Sequence, residues 1–434
     1  MLLLATGGFL ALAVTLTTLV TAKYRSLFHP LSMPVLNLVV MAALAPLARS
    51  AVLGDAVPES CQVQASLMTS LYVLGLALPL LAKANPLLPL GRQLARPLEV
   101  RPRLEARGIY LLIAAGLVAG FVAGYALLLR DSRAGWDWLR DPRHSYLIGR
   151  EGVGHWYVSA QACLFLAFLT LLYFVRLRRV EVIAALALST AFLFVFFGSK
   201  HSVIGVLVAT AVYYNFYVRR IPPAAVCLAA LAVVPLVLLS PLLQGNFDSL
   251  RGTLSYYDYF ENSARYLSKA DEIGRMHGGA AVSSLWAFVP RGLYPDKPFI
   301  YGSLYINEFF WPGVAEKGHT PALLPWTVYY LDFGPLGVLA GGLWTGLVSK
   351  AVYLYFLRSR SLIAWLAYLH VCFVPILKHS PLVYFGILLL LLALAIRTAV
   401  YVLMTVASTP RTHGQIGISP SEESAPAILS PLVT

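Results

Sequence analysis

Charge is what this chain has least of. Only 12% of its 434 residues are Asp, Glu, Lys or Arg and 59% are hydrophobic, a ratio too lean for a chain dissolved in water and sufficient for one dissolved in lipid. Cysteine is nearly missing. Of four, Cys163, Cys227 and Cys372 lie within apolar stretches and Cys61 stands alone, so neither a disulfide framework nor a metal pair is expected, and no cofactor is implied. No phosphate-cradling glycine loop stands in a suitable context, and no internal repeat suggests a transporter built from duplicated halves. The first apolar run lacks a basic n-region and a small-residue cleavage site, and so reads as a retained helix with its N-terminus outside.

What the chain does have is eleven apolar runs, at 2–22, 34–47, 65–82, 108–129, 156–175, 180–197, 202–217, 223–243, 334–356, 362–377 and 381–396. Most come within a few residues of the roughly 20 that a helix needs to cross a bilayer. In lipid an open chain can satisfy its backbone only within each segment, which selects helices. The expected fold is all-α and polytopic, with about 11 transmembrane helices and one large outer loop. The expected divisions are 1–243, eight helices with short loops; 244–331, the large loop; 332–404, three further helices; and 405–434, a cytoplasmic tail of disordered composition.

The few charges alternate from loop to loop. Residues 83–107 carry Lys83, Arg92, Arg96, Arg101, Arg103 and Arg107 against Glu99 and Glu105, the mark of a cytoplasmic loop. Alternation from there gathers eighteen of the 33 basic residues and five of the 20 acids on that side, hence the whole formal charge of +13. Topology and attraction to anionic headgroups account for the basic excess, and a nucleic-acid partner is not expected.

Two outer segments are long enough for chemistry. In 130–155, five arginines and four acids are interleaved with Trp136 and Trp138, next to Trp156, which suits either a headgroup-level aromatic belt or the wall of a polar cavity. In 244–331, the spacing of Tyr256, Tyr259, Phe260, Ala264, Leu267, Ala270 and Ile273 predicts an amphipathic helix over 256–277 on or near the membrane surface, with Arg265 on its solvated face. Beyond it, 290–298 holds three prolines in nine residues. They forbid regular helix and present Arg291, Asp296 and Lys297 on a stiff loop, with Trp286 and Tyr294 nearby. Two tight outer turns repeat Lys-His-Ser, at 200–202 and 378–380. Snorkelling helix ends would explain them, and so would Lys200, His201, Lys378 and His379 turned into one outward cavity.

Cations at an outer boundary backed by rings suit a ligand that is lipid, phosphate and sugar together. The residues also carry a resemblance. Pro290-Arg291-Gly292-Leu293-Tyr294-Pro295-Asp296-Lys297-Pro298 resembles the PR-x-L-[WY]-P-D-K-P signature of Wzy-type O-antigen and exopolysaccharide repeat-unit polymerases. Phe197-Gly198-Ser199-Lys200 resembles their G-S-[RK] helix end, with Lys in place of the more usual Arg. Tyr330-Leu331-Asp332-Phe333-Gly334-Pro335-Leu336-Gly337 is similar to their Y-x-[ND]-F-G-x-x-G entry into the helix after the large loop. Arg291 and Gly302 have ten residues between them, the R-x10-G spacing of those polymerases.

The resemblance implies a multi-pass enzyme of the bacterial inner membrane, a glycosyltransferase-type polymerase working at the periplasmic face. Its substrate would be an oligosaccharide linked to undecaprenyl pyrophosphate, with the lipid bilayer and a polysaccharide chain-length regulator as partners. Arg291 and Lys200 are the catalytic cations it points to, with Arg265, Lys297 and Lys378 behind them. His319, His201, Asp296 and Glu308 are the groups able to take a proton. His379, Tyr294 and Trp286 complete the expected substrate contacts. An O-antigen ligase would share the outer loop and its cations. A flippase or transporter of the same lipid-linked oligosaccharide would need ionisable residues at mid-membrane, where His370 is the one that sits well inside a run.

Overall fold

The computed structural model describes residues 1–44, 46–47, 57–82, 85–87, 89, 107–142, 145, 153–175, 177–197, 200–228, 259–289, 294–313 and 322–373. Among them every regular element is a helix. In chain order the principal ones are α1 (Leu2–Tyr24), α2 (Ser32–Val39), α3 (Glu59–Leu81), α4 (Arg107–Asp131), α5 (Gly154–Thr170), α6 (Arg179–Phe197) and α7 (Lys200–Tyr213). After these come α8 (Tyr259–Ser268), α9 (Ala270–Ile273), α10 (Gly279–Ser283), α11 (Leu304–Phe310), α12 (Thr327–Ser359) and α13 (Leu362–Phe373). Within the described residues six helices are long and apolar enough to span a membrane: α1, α3, α4, α5 with its extension to Val175, α6 and α12. The chain is an all-α polytopic membrane protein. Most of the run at 223–243 (229–243), the end of the run at 362–377 (374–377), the run at 381–396 and the tail lie outside the described residues.

The ends of these helices sort into two sets. At one, the N-terminal ammonium and the Leu2 N–H meet Glu59 Oε1 at 3.1 and 3.0 Å, Trp156 Nε1 donates to Asp131 Oδ2, and the Tyr157 hydroxyl donates to the Phe197 carbonyl. At the other, Tyr173 and Tyr217 both donate to the Arg360 carbonyl, and the Arg360 guanidinium bonds Phe216 O among the rings of Phe216, Tyr217 and Phe356. Tyr368 donates to Phe28 O, and Lys350 Nζ bonds the carbonyls of Pro79 and Ala82. The described basic residues that charge alternation groups together, Lys23, Arg25, Arg107, Arg178, Arg179, Arg219, Arg220, Lys350, Arg358 and Arg360, lie on the helix ends and turns of this second set.

Helix α12 packs parallel to α3 at backbone contact. A Cβ on Gly342 would lie 2.5 Å from Tyr72 O, one on Gly346 2.5 Å from Leu76 O, and one on Gly75 2.6 Å from Leu339 O. Without a hydrophobic drive between helices in lipid, such close approach supplies the van der Waals attraction. Of the three outer tryptophans, Trp138 is fully buried against Tyr157 and donates to Ser132 Oγ, whereas Trp136 stands out in the surroundings.

Two expectations change. The helix over 256–277 is not continuous: α8 ends at Ser268, α9 is a single turn, and Gly274 leaves helical space at φ 77°. Nor does its apolar side rest on a membrane surface, since Phe260, Ala264, Tyr266 and Leu267 are buried in the same cluster as Tyr72, Trp326 and Tyr330. An amphipathic period says only that one side is covered, and here protein covers it. The ninth helix, expected from 334, begins seven residues earlier at Thr327 and carries a break inside it.

Candidate functional site

That break organises the end of the bundle at which Glu59 and Asp131 lie. Phe333 (φ −135°, ψ 16°) and Gly334 (φ 62°, ψ −148°) interrupt α12, and Pro335 restarts it. Proline, with no N–H to lose in a first turn, suits a restart. Gly334 occupies backbone space that L residues avoid.

Residues 275–281 strap across the break. Arg275 Nη1 donates to Tyr330 O at 2.7 Å, with its guanidinium 4.3 Å from the Tyr330 ring centroid. Met276 N donates to Leu331 O and His277 N to Asp332 O. Asp332, 1% exposed, accepts the Ala280 N–H at 2.9 Å on one carboxylate oxygen and the Ala281 N–H at 2.8 Å on the other. Arg275 also faces Tyr266, whose hydroxyl burial pushes above its ordinary range while the guanidinium pulls the other way. Tyr330 in turn receives the Gln64 amide from α3. Helix α8 secures the approach to α12: Ser263 Oγ accepts Leu324 N at 2.9 Å, and Asn262 donates to Ala322 O.

From α10 the chain reaches the proline-rich loop in short steps. Ser283 Oγ accepts the Gly302 N–H at 3.0 Å, and a Cβ on Gly302 (φ 57°) would strike Ser284 Oγ at 2.4 Å. The glycine that stands eleven residues beyond Arg291 is thus favoured by its backbone conformation, with Ser284 Oγ filling the space a Cβ would take. Trp286 and Tyr294 stack at 5.6 Å with planes 15° apart. Lys297 Nζ bonds Val289 O at 3.0 Å and sits 4.8 Å from the Tyr301 ring centroid. The two sides of 290–293 are therefore tied to each other twice.

Of the residues singled out from sequence, the structure brings together Trp286, Tyr294 and Lys297, with Asp296 exposed on the same turn. Lys297 does not stand out on the loop as expected. It turns inward, because a carbonyl and an aromatic face there solvate its ammonium. Arg265 instead pairs with Glu261 one turn back at 3.6 Å, and Glu308 accepts the Gly313 N–H at 2.8 Å, closing the turn after α11. Lys200 and His201 begin α7, while their side chains, together with Arg291, His319, Lys378 and His379, lie outside the described residues. Sequence reasoning met Arg275 on the solvated face of the predicted helix and Asp332 within the 330–337 motif, but gave neither a role. The signal was an acid two residues before Gly-Pro at a helix start, a place where an acid must cap something.

The chain is 20% identical over 220 residues to the O-antigen polymerase of Salmonella typhimurium and, to the same extent, to that of Salmonella typhi. The match covers 49% of this chain, which spans about half the length of these curated relatives (53%). No family model matches, and no solved structure does. The resemblance to O-antigen polymerases accordingly rests on the alignment with these relatives together with the motifs at 290–298 and 330–337.

Proposed function

We propose that the protein polymerises lipid-linked oligosaccharide repeat units into a surface polysaccharide, with undecaprenyl pyrophosphate as carrier, at the periplasmic face of the inner membrane. The observation that carries this reading is the similarity to O-antigen polymerases, joined to the Trp286–Tyr294 stack and the Lys297–Val289 bond that tie the described flanks of the 290–298 motif together.

In the proposed reaction a hydroxyl of the incoming repeat unit attacks the anomeric carbon of the chain's carrier-linked sugar. The bond from that carbon to the pyrophosphate oxygen breaks, the electron pair leaves with the pyrophosphate, and the hydroxyl proton passes to a base. Charge gathering on the leaving group is the hard part, and fixed cations in a partly dry site stabilise it best. Arg291 and Lys200 are proposed for that task. Lys297 serves by tying 294–298 back to Val289. Among the proton acceptors, Asp296 is exposed beside that loop, whereas Glu308 already spends one oxygen on Gly313.

The lipid-linked glycans of a deletion strain test the reading. Single repeat units on the carrier are expected to accumulate. Long chains retained on the carrier would instead indicate a ligase, and loss of every outward-facing repeat unit would indicate a flippase.

A further inference from the structure

Residues 278–289 contain no Asp, Glu, Lys, Arg or His, whereas the exposed residues over 259–273 are Ser268, Lys269, Asp271 and Glu272. Charge marks the earlier stretch as facing water. In the uncharged one, Val282 is 69% exposed and Leu285 61%, two large apolar side chains at helical spacing with nothing polar to keep them hydrated. We infer that α10 and the 3₁₀ turn Ser284–Phe288 seat in the headgroup region of the bilayer leaflet on the Glu59 side, with Val282 and Leu285 turned into lipid. This seat depends neither on the reaction catalysed nor on which side of the membrane Glu59 faces.

The stretch continues a surface that already borders lipid. Phe333, Leu336 and Trp344 are the exposed large apolar residues of the membrane-spanning α12. A Cβ on Gly278 would lie 3.4 Å from Phe333 Cζ, so the uncharged stretch starts against that side of α12. Val282 N bonds Gly278 O at 2.9 Å, one helical turn on, and Leu285 follows three residues later, which keeps both on the side that begins at Phe333. The other side is engaged with protein: Asp332 accepts the Ala280 and Ala281 N–H groups, Ser283 Oγ accepts the Gly302 N–H, and Ser284 Oγ donates to Ala280 O. The height agrees. From Leu336 to the exposed Arg358, α12 rises about 33 Å at ~1.5 Å per residue, close to the ~30 Å of hydrocarbon in a bilayer. With Arg358 at one boundary, Phe333 and the stretch beside it fall at the other. Trp286 and Tyr294, stacked next to Leu285, are ring types that favour that level. A second protein would need a larger face than two side chains supply, whereas lipid is already in contact with the adjoining side of α12.

The test uses the full chain in a background free of native cysteine, with single cysteines labelled by bimane. The protein is reconstituted in vesicles of phosphatidylethanolamine and phosphatidylglycerol that carry a nitroxide near the top or near the bottom of the acyl chain. Labels at Val282→Cys and Leu285→Cys are expected to be quenched at least about twofold more by the upper nitroxide than by the lower, as a seat ~5–10 Å into the headgroup boundary requires. A label at Asp271→Cys should be quenched by neither, and one at Leu336→Cys by the upper in every sample. Leu285→Glu, read with the label at 282, should lower that quenching by at least about half, because a carboxylate is costly in lipid, while the Leu336 label stays quenched. Labels at 282 and 285 as unquenched as the one at 271 would overturn the seat, with red-shifted emission then indicating water and blue-shifted emission a second copy or another segment of the chain as the cover. Stronger quenching by the lower nitroxide would overturn the headgroup-level placement. Full quenching in Leu285→Glu would overturn the role of the apolar pair.

Discussion

At the scale of single residues, the cations separate by what already holds them. Lys297, Arg275, Lys350 and Arg360 bond backbone carbonyls, and Arg265 has Glu261. The proposal places the leaving-group charge on Arg291 and Lys200 from the motifs that carry them, at 290–298 and 197–200. Arg291→Ala and Lys200→Ala should each lower polymer formation by on the order of 10²–10³ at normal protein level, while Lys200→Arg retains it because charge is what is needed there. Polymer from cells carrying each variant, normalised to protein in the membrane, checks this. A second residue-scale outcome concerns His29, in the turn between α1 and α2. Burial, then Lys23, then Lys350 lower its pKa to about 3, and Nδ1 accepts the Leu31 N–H, so protonation would cost that bond. The unfolded chain takes up the proton near pH 6.5 and the folded one does not. Stability is thus full above pH 6.5 and lost as pH falls toward 3, by roughly 1.4 kcal/mol per unit. Thermal midpoints in detergent should show this slope, and His29→Phe, which keeps a ring between Tyr24 and Tyr353, should flatten it.

At the scale of elements, the α3–α12 seam is the tightest contact described. Gly342→Ala puts a methyl 2.5 Å from Tyr72 O and 3.1 Å from the Gly75 Cα, and overpacking of this kind costs about 1–3 kcal/mol. Its melting temperature should drop, whereas Gly7→Ala, with nothing within 4 Å of the added methyl, should melt like the parent. The helices themselves were legible in sequence: the runs at 2–22, 108–129 and 180–197 agree with α1, α4 and α6 to within a few residues, because a long apolar run in lipid has one solution. The outer elements were less legible. The period over 256–277 marked a covered side and could not say that protein does the covering, or that Gly274 ends the helix. The 330–337 motif was visible as a string. What could not be read was that Asp332 reaches back some fifty residues to Ala280 and Ala281, since a single sequence carries no long-range pairing. The charged residues near 290–298 were found by composition, but the inward turn of Lys297 depends on Tyr301 and Val289 together.

At the scale of the molecule, the described basic residues that charge alternation groups together gather at one end of the helices. Loop-charge alternation assigns residues near Gly302 and residues near Leu98 to opposite sides. Single cysteines at these two places in intact cells should label from outside at 302 only, and the reverse pattern would contradict the topology. The central claim is polymerisation, and its most direct measurement is the product made by the purified protein in vesicles from undecaprenyl-pyrophosphate-linked repeat unit alone. The account predicts a ladder of carrier-linked glycans spaced by whole repeat units, with one undecaprenyl pyrophosphate released per unit added. Repeat units that stay single, or that are transferred only when a lipid A core acceptor is supplied, would contradict it.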